Sequence, residues 1–257
     1  MARDINLGPT SGPYVNLQEN SGDLDITGAT NVDLNGATLT NVGITEGFDT
    51  IDVFEADGTF DASNVDKAFV ECVGGGGGGG DADGTNTVGL GSGGGGGGYA
   101  ASIVDLSSDN SISVTVGSGG SNTSAGGDSS FGSFITASGG GAGSTASNQD
   151  IFDGGVGGGG AGDVVVAAGN GDAGLGSDAS YAEPFIVKSS KGGDSVYGRG
   201  GESQQVDSDL QQAINGKDAT GYGGGGAGGT YAFNTTGGST FTGGSGAQGV
   251  VIIHYKA

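Results

Sequence analysis

The residues of this chain best suited to chemistry are carboxylates, and their spacing points first to a cation. Asp81-Ala82-Asp83-Gly84-Thr85-Asn86 sets acidic side chains at i and i+2 with a glycine and an amide beyond, like the start of a calcium loop. The distal glutamate of an EF-hand is missing and no helix-forming sequence flanks the motif. Calcium held by Asp81 and Asp83 is therefore the one cofactor the residues suggest, with a solvated acidic turn as the alternative. Asp150 to Asp153 is a weaker version of the same pattern.

Other chemistries find less support. His254 is the only histidine and sits in an apolar run near the end of the chain, where a structural role is expected. Cys72 is the only cysteine, so no intrachain disulfide forms, and its apolar neighbours Phe69, Val70 and Val73 favour a buried, inert thiol. Many aspartates could supply the carboxylate pair of a glycosidase, yet the chain has no tryptophan to build a sugar-cleaving cleft. No enzyme activity is expected. GxGxxG patterns recur, but none lies between a strand and a long helix, and no glycine loop ends in Lys followed by Ser or Thr, so nucleotide binding is not expected. Asn122-Thr123-Ser124 and Asn234-Thr235-Thr236 match the glycosylation sequon, a frequent coincidence in a chain rich in Asn, Ser and Thr.

A binding surface is better supported. Ser177 to Lys191 gathers Tyr181, Pro184, Phe185, Lys188 and Lys191, and Arg199 and Lys217 follow in the next insertion. Rings and cations among polar residues are the usual material of recognition. The alternative is that Phe185, Ile186 and Val187 form one more core strand.

The charge balance limits the partners. Seven basic against twenty-nine acidic residues give a net charge of −22 over 257 residues. Binding to nucleic acid or to an anionic membrane is not expected, since both need clustered Lys and Arg. Self-repulsion of this size destabilises a compact state in dilute salt and is screened at molar salt, where the Debye length is about 3 Å. A halophilic or marine setting is expected. Met1-Ala2-Arg3-Asp4 opens without an apolar stretch of signal-peptide length, so assembly in a cytoplasm is expected.

The elements that must position these residues are dominated by glycine, 64 residues of it. Gly74 to Gly80 is an unbroken run launched from the β-like segment Val65 to Val73. Gly93 to Gly98, Gly154 to Gly160 (broken by Val156) and Gly223 to Gly229 (broken by Ala227) echo it. An extended left-handed helix of three residues per turn has no internal hydrogen bonds, so buried copies must bond to one another, and only glycine lets backbones approach that closely. Laterally packed polyglycine-II helices are the expectation. Strands are expected at Ile51 to Phe54 and Thr59 to Phe60, joined as a hairpin through Asp57-Gly58, and at Val65 to Val73, Ile103 to Leu106, Ile112 to Val116, Phe131 to Ala137 and Val164 to Ala168. A central strand, covered on both faces, is expected at Val250 to Tyr255. Val206, Leu210 and Ile214, at i, i+4 and i+8, suggest one short helix near Ser203 to Ile214.

Residues 1–47 differ, with only seven of the glycines and a Gly-Ala-Thr repeat at Gly28 and Gly36. The thin apolar stripe from Leu24 to Ile44 cannot be covered by one copy, which predicts a β-rich, trimeric stem; an appendage folded on the main domain is the alternative. The expected fold is thus all-β: a glycine-rich, β-sandwich-like domain over residues 48–257 with packed polyglycine-II helices, preceded by an attachment and trimerisation stem over 1–47.

Phe48 to Ala257 resembles the glycine-rich domain at the ends of tailed-virus fibres, including the polyglycine adhesins of fibre tips. The phrases that carry the likeness are Gly58-Thr59-Phe60 with the strand into Gly74 to Gly80, Val114-Thr115-Val116-Gly117-Ser118-Gly119-Gly120, Ser129-Ser130-Phe131-Gly132-Ser133-Phe134, Ala219-Thr220-Gly221-Tyr222-Gly223-Gly224 and Gly249-Val250-Val251-Ile252-Ile253. The resemblance implies a virion protein, a stiff glycine scaffold, and exposed loops that bind a host cell-surface protein or glycan. Tyr181, Phe185, Lys188, Lys191 and Arg199 are the expected receptor contacts, with other tail or capsid proteins as further partners. A decoration, turret or baseplate component without receptor binding is the rival. The acidity departs from the resemblance and points to a virus of a haloarchaeon or marine bacterium.

Overall fold

The structure is a computed structural model and describes residues 16–20, 23–27, 48–83, 88–146, 151–177, 186–207, 213–232 and 240–256. The chain divides into two compact units, Met1–Glu46 and Gly47–Ala257. In the first, Asn16–Asn20 and Asp23–Thr27 pair antiparallel, with Leu17 opposite Ile26. The rest of the Leu24 to Ile44 stripe lies outside the described residues.

The second unit is all-β, with no helix among its described residues. One five-stranded antiparallel sheet runs in the order Val164–Val166, Tyr99–Asp105, Lys67–Val73, Val250–Tyr255, Thr50–Phe54. A second runs Gly160–Ala161, Ile135–Ala137, Ser129–Phe131, Ser111–Thr115, Gly58–Asp61. Their facing sides share one core, in which Val70, Cys72, Val251 and Ile253 of the first sheet meet Phe60, Val114, Phe131 and Ile135 of the second. The alternation expected of Lys67–Val73 holds, with Ala68, Val70 and Cys72 fully buried on one face. A third sheet pairs Val88–Leu90 with Gly174–Ser177 and Thr230–Ala232.

Four expectations need correction. Thr50–Phe54 and Gly58–Asp61 do not form a hairpin: the first pairs with Val250–Tyr255 and the second with Ser111–Thr115, in different sheets. A type I′ turn needs positive φ at its glycine, and Gly58 is not among the glycines with positive φ. Instead Asp57 accepts the Val116 N–H at 2.8 Å, which ties the corner to the second sheet. Phe131 to Ala137 is a hairpin and not one strand, because Gly132 takes φ +53° and reverses the chain between Ser129–Phe131 and Ile135–Ala137. The helix near Ser203 is absent from its described residues. Val206 is fully buried in a strand opposite Val187, and Ala213–Ile214 pairs with Thr230 and Tyr231. Val250–Tyr255 is internal to its sheet, but only Val251 and Ile253 on the core side are buried along with Val250; Ile252 and His254 are partly open.

Glycine tracts leave these sheets and bond sideways. From Gly74 to Gly80 every backbone N–H finds a carbonyl on another segment, and the target changes with a period of three. Gly74, Gly77 and Gly80 donate to Gly98, Gly95 and Ser92. Gly75 and Gly78 donate to Gly127 and Ser124, and Gly76 and Gly79 to Ala247 and Gly244. Their carbonyls repeat the cycle: Gly75 and Gly78 accept from Gly140 and Gly143, Gly76 and Gly79 from Gly120 and Thr123, Gly77 and Gly80 from Gly226 and Gly229. Six neighbouring segments thus surround one tract, and all seven glycines are buried. Gly93 to Gly98 and Gly223 to Gly229 are equally buried, whereas Gly154 to Gly160 lies at the edge, with Val156 exposed. Less obvious stretches join the bonding. Gly117 and Gly120 are buried while Ser118 and Ser121 face outward, a spacing of three that a run-counting reading of the sequence overlooks.

Candidate functional site

A cleft of about 480 Å³ opens beside this scaffold, lined by Asp194 to Arg199 with Thr220 and Gly221. Two short strands build its floor, with Gly198 opposite Gly221 and Arg199 opposite Thr220. The Ser195 N–H donates to the Gly198 carbonyl at 3.0 Å, closing a tight turn that carries Val196 and Tyr197 at its tip. The Ser195 hydroxyl donates to the Tyr222 carbonyl, and the Tyr222 N–H donates back to the Tyr197 carbonyl at 3.1 Å. Gly221, at φ +75°, makes the return possible: a side chain there would meet the Tyr197 carbonyl.

Tyr197 is 41% exposed, yet its ring is fixed. Its hydroxyl donates to Glu71 Oε1 at 2.7 Å, and it stands edge-on to Tyr99 at 6.0 Å and 89°. Tyr99 also donates to Glu71 Oε1 at 2.7 Å, and His254 Nε2 lies 3.0 Å from Glu71 Oε2. The sheet explains the cluster. Glu71 faces away from the core, directly opposite Ile252 on one neighbouring strand and Ala101 on the other, so His254 and Tyr99 are its diagonal neighbours. Partial burial pushes the Glu71 carboxyl up, but hydrogen bonds from Tyr197, Tyr99 and His254 outweigh it and hold the group below the usual carboxylate range. Burial, then the Glu71 carboxylate, pushes the Tyr197 phenol up to about 12, and the same two causes raise Tyr99.

At the other side of the cleft Lys191 Nζ holds both oxygens of Asp194, at 2.9 and 2.8 Å, and the Gly200 N–H donates to Asp194 Oδ1 at 2.8 Å. Burial pushes the Asp194 carboxyl up; these donors, with the charges of Lys191 and Arg199, more than offset it and hold it below the usual range. Arg199 is exposed and forms no ion pair among the described residues.

The structure therefore brings two of the expected contact residues, Lys191 and Arg199, together around Asp194. Lys188 is exposed on the Ile186–Lys188 strand opposite Gln205 and does not line the cleft. Tyr181 and Phe185 lie outside the described residues. Asp81 ties segments together, accepting from Asn122 Nδ2 at 2.9 and 3.2 Å and from the Gly243 N–H at 2.9 Å. The Asp83 backbone pairs with Thr240, and its side chain lies outside the described residues. No group of three or more His, Cys, Asp or Glu gathers as metal ligands among the described residues. Cys72 faces the core, where burial and then the Glu71 charge push its thiol up to about 12. Sequence reasoning missed Glu71, Tyr99 and Tyr197. The available signal was a charged residue on the outward face of an otherwise apolar strand.

A family model described as a glycine-rich domain matches residues 55–256. The chain belongs to the glycine-rich domain family. A search of curated proteins finds no match. The match covers the glycine tracts, the cleft and both core sheets apart from the edge strand Thr50–Phe54, so in this member of the family the Tyr197 turn and the scaffold are parts of one domain. Chemically the arrangement suits binding: an anchored ring, a guanidinium without an ion pair among the described residues, and hydroxyl and carboxylate acceptors.

Proposed function

We propose that this protein is a virion fibre or fibre-tip adhesin whose glycine-rich domain recognises a host cell-surface protein or glycan. The observation that carries the reading is the exposed, tethered Tyr197 beside Arg199, which forms no ion pair among the described residues, set on a scaffold whose buried backbone groups bond segment to segment. Rigid placement of an aromatic anchor lowers the ordering cost of binding. In this reading the glycine tracts are polyglycine-II helices, residues 1–47 trimerise and attach the chain to other tail or capsid proteins, and the acidic surface fits a saline habitat. Neither nucleic acid nor membrane is a partner, and the protein binds without catalysing a reaction.

One observation favours a second reading, a structural virion component without receptor binding. Ile51, Val53 and Ile103 are 58%, 55% and 63% exposed on the outward face of the first sheet, an apolar surface suited to another virion subunit. Competition decides between them. Purified protein added in excess should block adsorption of particles to the host, and imaging should place the chain at the distal end. Unhindered adsorption, with the chain packed among capsid or baseplate subunits, would overturn the adhesin reading in favour of the structural one.

A further inference from the structure

The cleft at Tyr197 narrows the ligand. We infer that it is a saccharide site for a uronic acid residue, with the sugar carboxylate on Arg199 and the carbon–hydrogen face of the ring on Tyr197; the inference rests on the adhesin reading only for where the sugar is met.

Three features of the cleft support this. First, it is open and presents a flat phenol ring next to Val196, 45% exposed, so an apolar sugar face has a platform. The ring is held at its hydroxyl by Glu71 and edge-on by Tyr99, so little freedom is lost when a ligand stacks on it. Second, polar groups line the same cleft as that ring. Thr220 lies directly opposite Arg199 on the paired strand, and Asp194 lines the same cleft as an acceptor for ligand hydroxyls. Third, the two charged side chains that line the cleft are Asp194 and Arg199, and Lys191 already engages both oxygens of Asp194, at 2.9 and 2.8 Å. Arg199 forms no ion pair or hydrogen bond from its guanidinium among the described residues, and a carboxylate matches that planar fork with two parallel hydrogen bonds. A neutral sugar offers the guanidinium no such bidentate partner. A polyanion such as nucleic acid would meet the acidic remainder of the surface over a length that two cations do not offset.

Calorimetry with the full-length protein, trigalacturonate as the probe and maltotriose as the neutral control tests this. Trigalacturonate should bind and maltotriose should bind at least tenfold more weakly. Arg199→Ala should weaken trigalacturonate tenfold or more with an unchanged melting temperature, because the side chain is exposed. Arg199→Lys should fall between, since it keeps the charge and loses the fork. Absence of trigalacturonate binding at millimolar concentration, equal binding of the two sugars, or an Arg199→Ala variant with full affinity would each overturn the inference. The two proposals fail separately. Protein that blocks particle adsorption without binding trigalacturonate removes the uronate site and leaves an adhesin that recognises another ligand, a host protein included. Protein that binds trigalacturonate through Arg199 but leaves adsorption unhindered keeps the site and removes the adhesin.

Discussion

Tyr197 Oη lies 2.7 Å from Glu71 Oε1, a contact between residues 126 positions apart that joins an exposed turn to the outward face of the first sheet. Through Glu71 the turn is coupled to Tyr99 and His254 on two flanking strands. A surface aromatic held this way is a fixed part of the domain surface, which is what gives the cleft its shape.

Glu71→Gln should release that coupling in a pH-dependent way. The Tyr197 phenol is raised from 10.0 to about 12, so the fold favours its protonated form; that stabilisation is present below pH 10 and is lost as pH rises toward 12. Glu71 itself is lowered from 4.5, so its contribution is present above pH 4.5 and is lost as pH falls through the lower folded value. In the variant, phenolate absorbance should show Tyr197 and Tyr99 ionising nearer pH 10, and acid unfolding should lose its Glu71-dependent limb. Unchanged phenol titration would contradict the network.

Gly77→Ala and Gly159→Ala should separate lattice interior from lattice edge. A methyl at Gly77 would overlap the backbone carbonyl of Gly141, which no side-chain rotation relieves, whereas nothing lies within 4 Å of a methyl at Gly159. Denaturant unfolding should show a loss of about 3 kcal/mol or more for Gly77→Ala, the upper range of overpacking. Gly159→Ala should stay within about 1 kcal/mol of the parent and gain stability where its backbone suits alanine.

Salt should stabilise the protein. With 29 acidic and seven basic residues, raising sodium chloride from millimolar to molar screens carboxylate repulsion and should raise the melting temperature. A flat or falling melting temperature over that range would remove the halophilic reading.

If residues 1–47 trimerise the chain as proposed, their removal should convert trimers to monomers and leave the glycine-rich domain folded, with its β-sheet circular dichroism intact. Sedimentation checks this: a full-length monomer, or a truncated chain that stays trimeric, would refute the stem.

The sequence by itself determined the all-β class, because a chain this rich in glycine, serine, threonine and aspartate cannot sustain helices. It also determined the core face of Lys67–Val73, since a strand alternates with a period of two that any reader can count. Local composition was enough to mark three of the four glycine tracts as buried backbone, but not that Gly154 to Gly160 lies at the edge. Only the tertiary structure decided which strands pair. Asp57-Gly58 reads as a hairpin, yet Thr50–Phe54 and Gly58–Asp61 each gain a partner from a distant part of the chain, and long-range pairing overrides a two-residue turn preference. The apparent helix at Val206 yielded in the same way, because Val206 is buried in a strand opposite Val187 and Ile214 pairs with Thr230. Arg199 and Lys191 were visible as cations among polar residues, but their convergence on Asp194 was not, and Glu71 gave no local sign of its three partners. Those contacts join segments set by the packing of the glycine tracts, and a backbone lattice has no side chains through which a sequence could announce its neighbours.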